Sequence, residues 1–343
     1  MKRFWIVAFL LGLCVCCLHG QEREVRIGVM GLFHPTEIVV SKGSGKPLSC
    51  MAGEEHWPVS EPLHVALDGV MIRLANDGKT LAAELRCDDG QGGPADFMVA
   101  VPDKFSRHYH GKLEIQAQAR ELLVIVAMEV EVAVASIVAA ESLPHAPLEA
   151  LKAQAVASRS FLLAGRGRHR DFDFCDTTHC QFLRQPAQAG SPAARAAAET
   201  HGLVLAFKGE SFAAMYSASC GGRTHSLEEL GIPVRNYPYF AVTCDYCRRH
   251  PEKWVARISK ADADNLSQTE ASRLKLARRL GWKTVPSNTY SSHTEGEEVV
   301  LEGTGVGHGI GLCERGSVDM ARRGSSFRQI LEHYYPNTEI RSY

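Results

Sequence analysis

The residue with the most suggestive setting is Glu141. Val130, Val134, Ile137, Val138 and Glu141 recur at helical spacing, and at about 100° per residue they fall on one stripe. A carboxyl group set among aliphatic side chains is disfavoured in its charged form, so burial raises its pKa. Kept protonated near neutrality, such a group is a general acid. The same periodicity also fits a helix-end glutamate that curls back to solvent or pairs with a buried cation. Cations follow directly: Lys152 and Arg159 are two helical turns apart, on one face and about 10 Å apart along the axis. This basic edge either holds Glu141 in register, meets a sugar hydroxyl or carboxylate, or is a solvated face.

His169, Cys175, His179 and Cys180 gather two imidazoles and two thiols over residues 169–180, a density of soft ligands that suits tetrahedral Zn2+. A small disulfide loop closed by Cys175 and Cys180 is the alternative. Consecutive side chains usually diverge, so His179 and Cys180 are not expected both to reach one ion, and His169 is the alternative third ligand. Cys244-Asp-Tyr-Cys247 is a C-x-x-C knuckle with Cys220 upstream and Cys313 downstream. These four thiols fit either a structural ion or disulfides. A redox role fits less well, because no thioredoxin-like strand precedes the knuckle. The run Gly303-Thr-Gly-Val-Gly-His308-Gly-Ile-Gly311 lets backbone approach a ligand and presents one imidazole. It lacks the strand and helix of a βαβ unit, so no nucleotide cofactor is expected. A glycan or catalytic loop holding His308 is the better reading, against a tight structural turn.

The elements that must position these groups change character along the chain. Residues 24–128 hold short β-rich runs, such as Val25–Val29, Glu37–Val40 and Glu121–Met128, separated by Gly/Ser/Pro/Asp clusters. A helix carrying Glu141 follows and is closed by Pro144. Val130, Val132 and Val134 also alternate, so a strand running into that helix is possible. Pro147 then opens a helix through Leu148, Leu151, Ala155 and Leu162. Residues 190–200 form an Ala-rich helix, 202–218 a strand pair around Lys208-Gly209, and 258–281 a peripheral helical insertion. The pattern as a whole is α+β.

Composition sets the outer bounds. The 343 residues carry 38 Lys+Arg against 39 Asp+Glu, so no electrostatic drive toward nucleic acid exists. Hydrophobic residues at 45% and charged residues at 22% are globular values and exclude disorder, collagen and coiled coil. Residues 1–20 read as a secretory signal: Met-Lys-Arg, the apolar run Phe4–Leu18, and a cut after Gly20. The run is shorter than the roughly twenty apolar residues of a membrane span. Cys14, Cys16 and Cys17 lack the small preceding residue of a lipobox. Export to the periplasm or cell envelope leaves eight cysteines where disulfides persist, and Cys50 with Cys87 is expected to form one.

Taken together, these segments resemble the SpoIID/LytB family, named after stage II sporulation protein D and an amidase enhancer. The matching stretches are Ile137–Pro144 with Leu148–Phe161, then Cys175–Gln181, Tyr216–Thr224, Gly305–Gly316 and His333–Pro336. They spread over residues 121–343. The resemblance implies a peptidoglycan lytic transglycosylase acting on denuded glycan strands, with Glu141 as its acid and functional basic residues at Lys152 and Arg159. It further implies substrate binding at Tyr216, Ser217, Ser219 and His308, and Zn2+ at the 169–180 cluster. By the same resemblance the chain divides into the signal (1–20), a β-rich N-terminal module (21–120) and a SpoIID-like catalytic domain (121–343). The alternative is a non-catalytic module that binds glycan and stimulates a cell-wall amidase. A zinc hydrolase lacks support, since no His-Glu-x-x-His pattern is present. Two departures stand out. Cys313-Glu314 replaces the Ser-Gln or Cys-Gln pair of many members, and Trp254–Thr304 is poorly matched and short of β structure.

Overall fold

The computed structural model describes residues 24–343 apart from 75–77, 80, 178, 235 and 265; the expected signal segment lies outside the described residues. Contacts divide the chain into two units. The first comprises the residues up to Ala140 together with Gly165–Ala189, the second Glu141–Ala164 with Gly190–Tyr343. The class is α+β.

The first unit is built on an 11-stranded sheet, formed by β1 (Glu24–Val29), β2 (Glu37–Lys42), β3 (Ser49–Ala52), β4 (Glu55–Pro58), β5 (Leu63–Asp68), β6 (Met71–Leu74), β7 (Glu84–Asp88), β8 (Ala95–Val101), β9 (Phe105–Ala117), β10 (Leu122–Glu129) and β11 (Phe174–Cys175). Strand β9 explains how the sheet curls. Its first half pairs with β8, while its second half pairs with β10 on one side and β7 on the other. Along β8 the residues Ala95, Phe97, Val99 and Val101 are buried and the others are not, the period-2 signature of a sheet with one wet face. Strand β10 is apolar on both faces and buried from Val124 to Met128. Cys50 and Cys87 face each other across β3 and β7 and form the expected disulfide. Near residue 120 the chain passes from β9 to β10 without leaving the sheet.

Helix α1 (Val130–Glu141) starts where β10 stops, so the ambiguous valine alternation belongs to the helix. Val130, Val134, Ile137 and Val138 are buried as the stripe requires, and the Ser136 hydroxyl donates to the carbonyls of Arg184 and Gln185. Its last residue, Glu141, counts with the second unit.

The second unit centres on α2 (Leu148–Ala164), in which twelve of the thirteen positions from Ala150 to Leu162 are buried, Lys152 being the exception. Pro147 supplies the carbonyl that accepts from Ala150 and Leu151. Around α2 lie α3 (Pro192–Glu199), capped by the Ser191 hydroxyl; the hairpin β12 (Leu203–Phe207) with β13 (Glu210–Ser211); and the short strand β14 (Tyr216–Ser217). Then come α4 (Asp245–Arg249), β15 (Lys253–Ser259), α5 (Lys260–Ala263), α6 (Glu270–Leu280), β16 (Tyr290–Glu295), β17 (Glu298–Thr304), β18 (Leu312–Cys313), α7 (Glu314–Arg322), α8 (Phe327–Tyr334) and β19 (Glu339–Ser342). The core includes stacked and edge-on aromatic rings of Phe212, Tyr237, Tyr239 and Tyr335. Strands β15, β17 and β16 form an antiparallel sheet with its own small core of Ala256, Ile258, Leu276, Val285 and Leu301. The stretch 254–304 is therefore not short of β structure, contrary to the sequence expectation. Strand β16 escaped notice because its residues Tyr-Ser-Ser-His-Thr-Glu bury no apolar face. Among the described residues no helix is long and apolar enough to cross a membrane.

Candidate active site and metal-ligand clusters

Glu141 stands at the end of α1, where the apolar stripe runs out, and is half-buried. The Tyr216 hydroxyl donates to Glu141 Oε2 and accepts from Ser158 Oγ at 3.3 Å. Burial first, and then the Glu141 charge, push the Tyr216 phenol well above its ordinary pKa, so it keeps its proton and acts as a donor. The carboxyl most deprived of water is a different one. Glu314, the first residue of α7, is 7% exposed, and burial followed by the charge of Glu141 raises it to about 8. At neutral pH Glu314 is therefore largely protonated. Both carboxyl groups lie near Tyr216, since Leu312 and Cys313 of β18 pair in parallel with Tyr216 and Ser217 of β14. The sequence showed Glu314 only as a departure from a familiar pair. Its burial comes from the β14–β18 pairing, which no local period announces.

Alternation along residues 216–219 sorts the polar groups expected to bind substrate. Tyr216 and Ala218 are half-buried, whereas Ser217 and Ser219 are buried. Ser217 Oγ has no hydrogen-bond partner among the described residues, and Ser219 Oγ lies 3.6 Å from Cys247 Sγ. Ser219 thus points into a thiol cluster rather than toward an open surface.

Neither cation of α2 forms the solvated edge anticipated from the seven-residue spacing, because α2 is packed on nearly all sides. Lys152 Nζ binds Glu149 Oε1 at 2.8 Å and Glu199 Oε2 at 2.7 Å, and these bonds raise its pKa. Glu149 in turn accepts the Phe327 N–H at the start of α8. Arg159 is wholly buried and donates to the carbonyls of Ala155, Leu203 and Ala197 at 3.1–3.4 Å. The two cations tie α2 to α3, β12 and α8.

His308 is half-buried in its glycine-rich loop, with Nδ1 accepting the Ile310 N–H at 3.0 Å. Burial lowers its pKa to about 4, only partly opposed by the Glu270 carboxylate, so the ring is neutral at pH 7. The loop closes tightly over a second histidine: at Gly309, φ is +68° and a Cβ would come within 2.9 Å of His225 Cδ2. His225 bonds Thr289 Oγ1 at 2.9 Å. Glu270, held by Arg273 and by Asn288 at 2.6 Å, completes a polar group that the expectation of a peripheral insertion had missed. The Glu270–Arg273 spacing of i, i+3 was its one sequence signal.

In the first unit, ligand atoms of His169, Cys175, His179 and Cys180 all lie within 4.8 Å of one another. His169 Nε2 is 3.3 Å from Cys180 Sγ, and His179 Nδ1 is 3.4 Å from Cys180 Sγ and 3.7 Å from Cys175 Sγ. Cys175 and Cys180 are unbridged. Both histidines reach the cluster, so the expected choice between them does not arise; the Cys180 N–H donates to the Thr177 carbonyl, and adjacent His179 and Cys180 both face the other ligands. Strand β11 anchors the cluster by pairing with β1, backed by Arg107 and Asp176 at 3.0 Å. In the second unit, Cys220, Cys244, Cys247 and Cys313 form another four-ligand cluster, entirely buried. Either cluster has the donor types of a metal site.

Residues 118–207 match the family SpoIID, described as Stage II sporulation protein. An uncharacterised protein of Brachyspira hyodysenteriae is 26% identical over 270 residues, covering 68% of this chain and 73% of that protein. Stage II sporulation protein D of Bacillus amyloliquefaciens is 24% identical over 254 residues, 60% of this chain and 72% of that protein. The Amidase enhancer of Bacillus subtilis is 24% identical over 275 residues, 57% of this chain, and the match spans only 38% of its length. The stretch similar to the SpoIID family, residues 118–207, carries Glu141, Lys152, Arg159 and the His/Cys cluster.

Proposed function

We propose that this chain is an exported lytic transglycosylase that cleaves the MurNAc–GlcNAc bonds of denuded peptidoglycan strands, with Glu141 as its single acid and base. The observation that carries the reading is the Glu141–Tyr216 contact, a carboxyl group held by a phenol that keeps its own proton. In the reaction Glu141 gives a proton to the glycosidic oxygen as the C1–O4 bond breaks. It then takes the proton of the MurNAc 6-hydroxyl as that oxygen bonds to C1, leaving a 1,6-anhydro ring. No water is consumed, so the paired carboxylates of ordinary glycosidases are not required. Tyr216 orients the carboxyl group. Lys152 and Arg159 position α2, and Ser217 and His308 are the polar groups assigned on this reading to glycan binding. Glu314 departs from the family pair in a way this chemistry tolerates, because a protonated carboxyl, like an amide, is a neutral donor.

The cluster of His169, Cys175, His179 and Cys180 supports Zn2+ as a structural ion, since a thiolate-rich site with four protein ligands is closed. The name of the Bacillus subtilis relative supports the second reading, a wall-binding module that stimulates an amidase. One variant separates the two. Glu141→Gln should bind denuded strands yet release anhydro-muropeptides at a rate lower by about two to four orders of magnitude, as removal of a general acid does. Mass spectrometry of the digests checks this. Equal anhydro products from both proteins would remove Glu141 as the acid, none from either would end the enzymatic reading, and unchanged amidase stimulation by the variant would favour the other.

A further inference from the structure

The four buried cysteines of the second unit have no role in the chemistry above. Cys220, Cys244, Cys247 and Cys313 are each 1% exposed or less, and their Sγ atoms lie within 4.8 Å of one another. Cys247 and Cys313 are 3.6 Å apart, Sγ to Sγ. A Zn–S bond of about 2.3 Å puts the edge of a ZnS4 tetrahedron at about 3.8 Å, whereas a disulfide needs about 2.0 Å. The surroundings suit thiolates. The Cys220 N–H points at Cys313 Sγ at 3.4 Å, the Tyr334 hydroxyl donates to Cys244 Sγ at 3.4 Å, and Ser219 Oγ stands 3.6 Å from Cys247 Sγ. Donors of this kind orient thiolate ligands and offset their charge. Backbone makes room for the cluster as well: at Gly316 of α7 a Cβ would sit 2.6 Å from Cys244 Sγ and strike the Tyr334 hydroxyl.

We propose that Cys220, Cys244, Cys247 and Cys313 form a closed tetrathiolate Zn2+ site, separate from the His/Cys cluster of residues 169–180, that fastens β14 and β18 to α4. The consequence lies in where the ligands stand. Cys220 follows Tyr216 by four residues, and Cys313 both pairs with Ser217 and precedes Glu314. The ion therefore braces the strand pair beneath Tyr216 and Glu314 without touching substrate. This holds whether the chain is a transglycosylase or a glycan-binding module.

The test uses the full mature chain, purified without added metal or reductant. Elemental analysis should find two zinc equivalents per chain, falling to one in Cys244→Ser and also to one in Cys175→Ser. Titration of the wild-type protein with an organomercurial should release zinc in two steps. Reconstitution with Co2+ should give the absorption of a four-thiolate ion that Cys175→Ser retains and Cys244→Ser loses. If Cys244→Ser fails to fold, non-reducing peptide mapping of the wild-type chain decides. Disulfides among these four cysteines, or one zinc equivalent that is lost in Cys175→Ser, would overturn the proposal.

Discussion

A phenol that cannot ionise is a one-way partner. Burial and the neighbouring charge keep the Tyr216 proton in place, so the Tyr216 hydroxyl can only donate to Glu141, and Ser158 supplies its own hydrogen to the phenol oxygen. Sequence periodicity located Glu141 because the helix repeat puts it in line with Val134 and Val138, but a stripe gives direction and not depth. At the last turn of α1 the carboxyl has left the aliphatic core and meets a tyrosine from residue 216, a partner no local pattern could supply. Depth belongs instead to Glu314, whose burial depends on pairing between residues 96 apart in sequence. Replacing Tyr216 by Phe removes one hydrogen bond to a carboxyl group that becomes charged as it gives up its proton, a bond then worth about 1.5–3 kcal/mol. Anhydro-product formation should then fall by about ten- to a hundredfold in kcat/KM while the melting temperature changes little. Steady-state rates on denuded glycan measure it, and an unchanged rate would remove Tyr216 from the machinery.

At the scale of elements, the long periodic helices and the alternating strands of the first unit were legible, and the failures had particular causes. Strand β16 exposes nearly every side chain and is held by its ladder with β17, so hydropathy carries no trace of it. Helix α2 was legible, yet the partners of its two cations were not, because spacing tells which residues share a face but not what covers that face. Arg159 lies under α3 and β12, with three carbonyls converging on its guanidinium. Arg159→Leu leaves those buried acceptors unsatisfied and should cost at least about 2–3 kcal/mol of folding stability. Lys152→Met should cost less, since its partners Glu149 and Glu199 are partly exposed and such pairs contribute up to about 1 kcal/mol. Denaturant titration of the two variants tests this order. Arg159→Leu melting like the wild type while making no product would instead give Arg159 a direct part in the reaction.

For the whole molecule, near-neutral charge and cross-linked small cores tell one story. A chain with 38 basic and 39 acidic residues has no net charge with which to gather a polyanion at long range, so a ligand is recognised by local shape and by individual polar groups. Stability is reinforced covalently in the first unit by Cys50–Cys87 and, on our reading, by a metal at His169, Cys175, His179 and Cys180. The segment bearing that cluster joins its sheet through the two residues of β11 and the Arg107–Asp176 pair, and an ion there would stand on a different stretch of chain from Glu141. Chelation under mild reduction should accordingly open residues 165–189 to protease and lower the melting temperature at chelator concentrations that leave anhydro-product formation intact. Limited proteolysis, calorimetry and product analysis on the same samples give the order of events. A metal-free chain that resists protease and binds glycan as before, yet yields no anhydro product, would put the ion at the chemistry and take the role of sole acid and base away from Glu141.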